Sequence, residues 1–302
     1  MLFMFAFLCL STSCNNRGLT TTANGTLVVT LPPIKYLVHE ITGDDFPIEV
    51  MLPAGASPET YEPVPQQLIA AEKAQLIFTT GLLDFENALV TKLDPAVTTT
   101  QTHKVINLFV GMELLSENCD HTHAQTTNQD DAHTPGPPQN HHGQGIDPHI
   151  WMSPPRLIIM AKNVYSAFAL LYPDSTKYTA NYHKLIDKLS ALNELIMIKL
   201  QASNVRSFII YHPALTYYAD DYGLTQISIE QEGKEPSVAK LKALITKAKE
   251  DKIDKIFYQS QFSQAVVQSV AREIGARMVE IDPLKEDVLT NLANITSMIT
   301  GR

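Results

Sequence analysis

Residues 174–203 contain no glycine and no proline, and they place Leu185, Leu189, Leu192, Ile196 and Leu200 at three- and four-residue steps. An apolar stripe at that spacing predicts one long helix. At 1.5 Å per residue its roughly 28 residues span about 40 Å, so the parts of the chain on either side are joined by a rod and not by a soft hinge. Ligand binding should then proceed through small lobe rotations or loop rearrangement.

What lies on either side is a strand and helix alternation. In the first half, short apolar runs at 27–31, 48–52, 76–80 and 104–108 alternate with helical patterns at 34–41, 66–74 and 85–93. In the second half, runs at 208–211, 226–229, 254–258 and 277–281 follow the same order. A Pro-started helix is expected at 213–221, and another carries Ala265, Val266, Ser269 and Val270. Continuous apolar runs separated by helices argue for parallel sheets covered on both faces. The expected fold is α/β, with two lobes, each a four-stranded parallel sheet flanked by helices, joined by the long rigid helix. The boundaries are 26–153 for the N-terminal lobe, 154–173 for a helix following it, 174–204 for the linking helix and 205–302 for the C-terminal lobe.

The amino terminus reads as an address. Residues 1–13 are an apolar run ending in small residues directly before Cys14, too short to span a bilayer. They are expected to be a signal peptide. Leu10-Ser11-Thr12-Ser13-Cys14 looks like a bacterial lipobox, which makes Cys14 the lipid anchor and 14–25 a lipidated tether. The n-region lacks Lys and Arg, which places the true start upstream. With Cys9 removed and Cys14 acylated, Cys119 remains without a disulfide partner. The expected setting is periplasmic or otherwise extracytoplasmic, on a membrane-anchored monomer. The balance of 23 basic against 32 acidic residues disfavours nucleic acid as a partner and suits a cationic ligand.

Six of the ten histidines fall between Asn118 and Trp151. His121, His123, His133, His141 and His142 stand among Gly, Pro, Asn, Gln and Thr, and His149 follows in Asp147-Pro148-His149-Ile150-Trp151. Imidazole and carboxylate together suit borderline cations such as zinc. The segment 116–146 is expected to be a flexible loop.

In open α/β sheets ligands bind beyond the carboxyl ends of the strands. Glu59 follows the second strand, His212 directly follows the run 208–211, Asp282 directly follows 277–281, and His149 sits just before the connecting helices. Taken singly, each has a plainer role: Glu59 as a solvated first-turn acid, His149 and His212 as hydrogen-bonded interior histidines, Asp282 as a helix cap. Their convergence on strand ends from both lobes is what points to a four-coordinate metal site.

These residues also carry a resemblance. Gly55-Ala56-Ser57-Pro58-Glu59-Thr60-Tyr61-Glu62-Pro63, Asp147-Pro148-His149-Ile150-Trp151-Met152-Ser153-Pro154, Tyr211-His212-Pro213-Ala214 and Ile281-Asp282-Pro283-Leu284 resemble the cluster A-I solute-binding lipoproteins, the metal receptors of zinc or manganese ABC transporters. The resemblance covers about residue 26 to the end. It implies a class III-like periplasmic metal-binding fold and one ion held between the lobes by Glu59, His149, His212 and Asp282. It also implies delivery of that ion to a membrane permease. Most relatives have His where Glu59 stands, which makes this site somewhat harder, and Glu62 is the alternate ligand at that place. His212 and the histidine-rich segment resemble the zinc branch, so Zn2+ is the expected cargo and Mn2+ the second choice. The five histidines from His121 to His142 are then an accessory, weaker metal loop. An adhesion or metallochaperone lipoprotein and, more remotely, a zinc hydrolase are the competing readings. Four protein ligands leave no position for a reactive water, and no His-Glu-x-x-His helix occurs, so no catalytic residue is assigned.

Overall fold

A computed structural model describes residues 25–93, 104–116, 145–230 and 236–301. The signal peptide at 1–13, Cys14, Cys119, His121, His123, His133, His141 and His142 lie outside the described residues.

The N-terminal lobe contains β1 (Leu27–Val29), α1 (Pro32–Thr42), β2 (Ile48–Val50), α2 (Pro65–Lys73), β3 (Leu76–Thr79), α3 (Asp84–Leu93) and β4 (Val105–Asn107). Two helices follow, α4 (Pro154–Leu171) and α5 (Thr176–Gln201). The C-terminal lobe contains β5 (Ser207–Ile210), α6 (Thr216–Asp221), β6 (Thr225–Ser228), α7 (Val238–Glu250), β7 (Lys255–Tyr258), α8 (Gln264–Ile274), β8 (Arg277–Glu280) and α9 (Val288–Thr300). The sheets are parallel throughout, with strand orders β2-β1-β3-β4 and β6-β5-β7-β8, so the two lobes share one topology.

Alternation along the inner strands β1, β3, β5 and β7 shows how both faces are covered. Leu27, Val29, Leu76 and Phe78 point into a large core that also takes Phe208, Ile210 and Phe257 from the other lobe. Their neighbours Val28 and Ile77 enter an outer cluster under α2 and α3, and Ile209 and Ile256 enter another under α7 and α8. Residues one apart on a strand face opposite ways, so an unbroken apolar run signals burial on both sides.

The large core is continuous because α5 runs through it. Ser175 caps its first turn by accepting the Tyr178 N–H, and the stripe Leu185, Leu189, Leu192, Ile196 and Leu200 is buried. This helix packs against α1 of the first lobe, α4, and α9 of the second. Its 26 residues make a rod of about 39 Å.

The first turn of α6 differs from expectation. The helix begins at Thr216 and not at Pro213, because residues 213–215 form a turn in which the Ala214 N–H bonds to the His212 carbonyl. That turn holds His212 outside the helix, at the end of β5. The loop after β3 is fixed by a buried carboxylate: Glu86 accepts the N–H groups of Thr80 (2.9 Å), Gly81 (2.8 Å) and Leu82 (3.2 Å) as well as the hydroxyls of Thr30 and Thr80. Among the described residues no helix is long and apolar enough to cross a membrane.

Candidate metal centre

Three donors meet where the carboxyl ends of the two sheets face each other. One ligand atom each from Glu59, His149 and His212 lies within 4.8 Å of the others. Donors on a tetrahedral zinc shell of 2.0–2.1 Å bonds stand about 3.3 Å apart, so this cluster is within a small adjustment of a coordination sphere. Among the described residues it is the one cluster of this kind.

Each donor is placed by a different local device. Glu59 stands in the loop after β2, which is tied down by Tyr61: its hydroxyl donates to the Met51 carbonyl at 3.0 Å, and its ring meets Phe85 edge-on. His149 ends a short segment in which Asp147 plays the controlling part. One oxygen of Asp147 accepts the His149 backbone N–H at 2.8 Å and sits 3.0 Å from Nδ1 of the ring. Asp147 is in turn held by its backbone, whose N–H reaches the Leu115 carbonyl at 2.9 Å and whose carbonyl accepts the Tyr217 hydroxyl at 2.8 Å. The site therefore draws on α6 of the second lobe even for its first-lobe histidine.

His212 is the most constrained of the three. Gln259 grips its backbone, donating to the carbonyl at 2.9 Å and accepting from the N–H at 3.4 Å. Phe262 stacks on the ring at 4.8 Å between centroids. Nδ1 lies 3.2 Å from Glu230, and Nε2 lies 2.8 Å from Glu59. The cavity beside His149 and His212 is lined mostly by apolar groups, Pro58, Trp151, Phe262, Pro283 and Leu284, together with the polar Ser57, Gln259 and Gln261. An apolar lining restricts solvent access to the three donors.

The electrostatics follow from this packing. Burial alone would lower the pKa of His212, but hydrogen bonds to Glu230 and Glu59 and their negative charge outweigh it and push the imidazole up to about 9. Burial would raise Glu59, yet the hydrogen bond and charge of His212 hold it below the usual carboxylate range. Asp147, also pushed up by burial, is held low by His149.

Two of the sequence candidates fall differently. Asp282 is not in the three-donor cluster: it is exposed, its Oδ1 accepts the Leu284 N–H at 2.9 Å, and its carbonyl accepts from Asn291. Nor does it cap the last helix, since Asp287 does that by accepting the Thr290 N–H. Glu62 is exposed and also outside the cluster, and it is the carboxylate of Glu59 that faces His212. Glu230 and Gln259 are site residues that sequence reasoning passed over. Glu230 directly follows the apolar run 226–229 and Gln259 directly follows β7, so the rule that found His212 would have found them.

Residues 27–300 match the family model for the periplasmic component A of the zinc-uptake complex. The chain belongs to that family. Among relatives, the zinc-binding lipoprotein AdcA of Streptococcus pneumoniae is 28% identical over 284 residues, covering 90% of this chain and 52% of its own length. The high-affinity zinc uptake system protein ZnuA of Bacillus subtilis is 26% identical over 263 residues, covering 86% of this chain and 78% of that protein. A crystal structure of ZnuA superposes with a TM-score of 0.77 at 33% identity, over 92% of this chain and 99% of that one. The chain thus spans about half the length of the AdcA relative it matches. Family membership accords with the twin parallel sheets and the long α5 rod described above.

Proposed function

We propose that this protein captures a divalent transition metal, zinc in the first place, outside the cytoplasmic membrane and hands it to the permease of an ABC transporter. The observation that carries the reading is the convergence of Glu59, His149 and His212 within 4.8 Å, donors drawn from both sides of the cleft. Two imidazole nitrogens and a carboxylate are a zinc-type set. Asp282, immediately before the cavity-lining Pro283, is proposed as the fourth donor. A filled sphere of four protein groups has no place for a reactive water, and the function is capture and release without catalysis.

The remaining assignments complete the same picture. Cys14 carries the lipid that tethers a monomer to the membrane, the lobes are bounded at 26–153 and 205–302, and release requires the permease to disturb the donors of one lobe. Manganese is the second cargo, favoured by the oxygen donor Glu59 at a place where a histidine would be softer.

The test is metal analysis of the purified protein with zinc and manganese in competition, for wild type, Glu59→Ala and His212→Ala. Wild type should keep one tightly bound zinc and both variants should lose it. Equal occupancy in all three would sink the assignment.

A further inference from the structure

Two histidines face the cleft, and each has a carboxylate behind it, but the two arrangements differ in kind. Asp147 is two residues from His149 and serves both its backbone and its ring. The partner of His212 comes from another strand. Glu230 is buried at the end of β6, with its Oε2 3.2 Å from His212 Nδ1, while its own backbone N–H bonds to the Tyr211 carbonyl at 2.9 Å. Burying a carboxylate is costly unless it is paired, and at 4% exposure the partner the structure gives Glu230 is the imidazole of His212.

We infer that Glu230 is a positioning residue for metal capture: it holds Nδ1–H of His212, which fixes the tautomer and turns Nε2 toward Glu59 and the ion. The inference rests on the proposed reading of Glu59, His149 and His212 as metal donors. An imidazole can coordinate through only one nitrogen while the other keeps its proton, and the hydrogen bond of the second nitrogen decides which one is free. Phe262 and Gln259 limit where the ring and backbone of His212 sit, but a stacked ring can still flip about its long axis. Within hydrogen-bond range of Nδ1, Glu230 distinguishes the two flipped orientations. It also adds a negative charge beside the cation without occupying a coordination position, and it makes Nε2 a stronger donor.

The experiment compares wild type, Glu230→Gln, Glu230→Ala and His212→Ala, each checked for wild-type far-UV circular dichroism. Zinc affinity is measured by competition with a chromophoric chelator, and imidazole nitrogen NMR of the zinc-loaded proteins reports the tautomer of His212. Glu230→Ala should bind zinc 10–100-fold more weakly, at unchanged one-to-one stoichiometry. Glu230→Gln, which keeps an acceptor but not the charge, should lose less. The protected Nδ1–H signal of His212 should be present in wild type, retained in Glu230→Gln and lost in Glu230→Ala, a signature that a purely structural role would not move. Wild-type affinity and an intact Nδ1–H signal in both Glu230 variants, with His212→Ala defective, would overturn this inference and leave the metal site standing. Wild-type affinity in His212→Ala would overturn the site itself and this inference with it. Should Glu230→Ala fail to fold, the affinity and signal of Glu230→Gln decide: full affinity with loss of the signal contradicts the proposal, and reduced affinity with the signal kept supports it.

Discussion

His212 Nε2 and Glu59 Oε1 stand 2.8 Å apart, one contributed from the end of β5 in the second lobe and the other from the loop after β2 in the first. The contact joins the lobes at the point where the proposed ion would sit. On the proposed reading a cation must come between them, so the pair competes with metal binding. Proton and metal are alternatives at Nε2.

This sets the pH dependence. The folded-state pKa of His212 is raised, from 6.5 to about 9. A raised histidine contributes stability that is complete below its unfolded value, near 6.5, and is lost as pH rises through about 9. The metal-free protein should therefore lose up to about 3 kcal/mol between pH 6 and pH 9.5, measured by urea unfolding. Glu59 has the opposite sign: its pKa is lowered, so its share is present above the ordinary carboxylate value and disappears in acid. Zinc affinity should rise with pH as the imidazole gives up its proton. An affinity flat from pH 5 to pH 8 would contradict two imidazole ligands.

Trp151 is the sole tryptophan, and its ring lies 5.1 Å from that of His149. Titration of the metal-free protein with zinc should change its emission and saturate at one equivalent. Its Nε1 also donates to the Pro283 carbonyl at 2.8 Å. Trp151→Phe keeps most of the ring but orphans that acceptor, and should cost about 1–3 kcal/mol in chemical denaturation. A His149→Ala protein whose emission still titrates at one equivalent would remove His149 from the donor set.

Arg156, near the start of α4, bonds to Asp221 at the end of α6, to the Glu113 carbonyl, and lies over the ring of Tyr217. The ion pair is largely buried, at 11% and 14% side-chain exposure. Arg156→Ala leaves the largely buried Asp221 carboxylate with the Ser153 hydroxyl but no counter-ion, for an expected loss of about 3 kcal/mol. Because Tyr217 also holds the Asp147 carbonyl, zinc affinity should fall as well. A variant with wild-type unfolding midpoint would show the pair to be dispensable.

The histidines His121, His123, His133, His141 and His142 are proposed to hold further, weaker zinc. Deleting residues 119–145 should leave one tight site in calorimetry and remove the weak ones. Loss of the tight site on deletion would refute the division between the two.

Much of the architecture is legible along the chain. Apolar-rich runs of four or five residues coincide with all eight strands, most plainly at the inner strands β1, β3, β5 and β7, which need little alternation because both their faces are covered. The α5 stripe is equally plain, and His212 could be found as the residue after a strand run. The start of α6 was less so. Pro213 is a common first helical residue, yet here the chain turns once more before the helix begins at Thr216, because a backbone bond to the His212 carbonyl takes precedence.

Spacing along the chain could nominate Glu59, His149, His212 and Asp282, because residue type and strand ends are local properties. It could not decide where their side chains go. Asp282 has the right chemistry and the right strand end, but its Oδ1 accepts the Leu284 N–H outside the three-donor cluster, so its proposed place as fourth donor calls for a turn of the loop around Pro283. Glu230 looks like any acid after a strand until β6 is placed beside β5 and brings it within reach of His212, eighteen residues earlier. Composition and periodicity specify the elements because those depend on near neighbours. The aim of a side chain depends on contacts between strands and lobes, and only the folded chain brings those contacts into being.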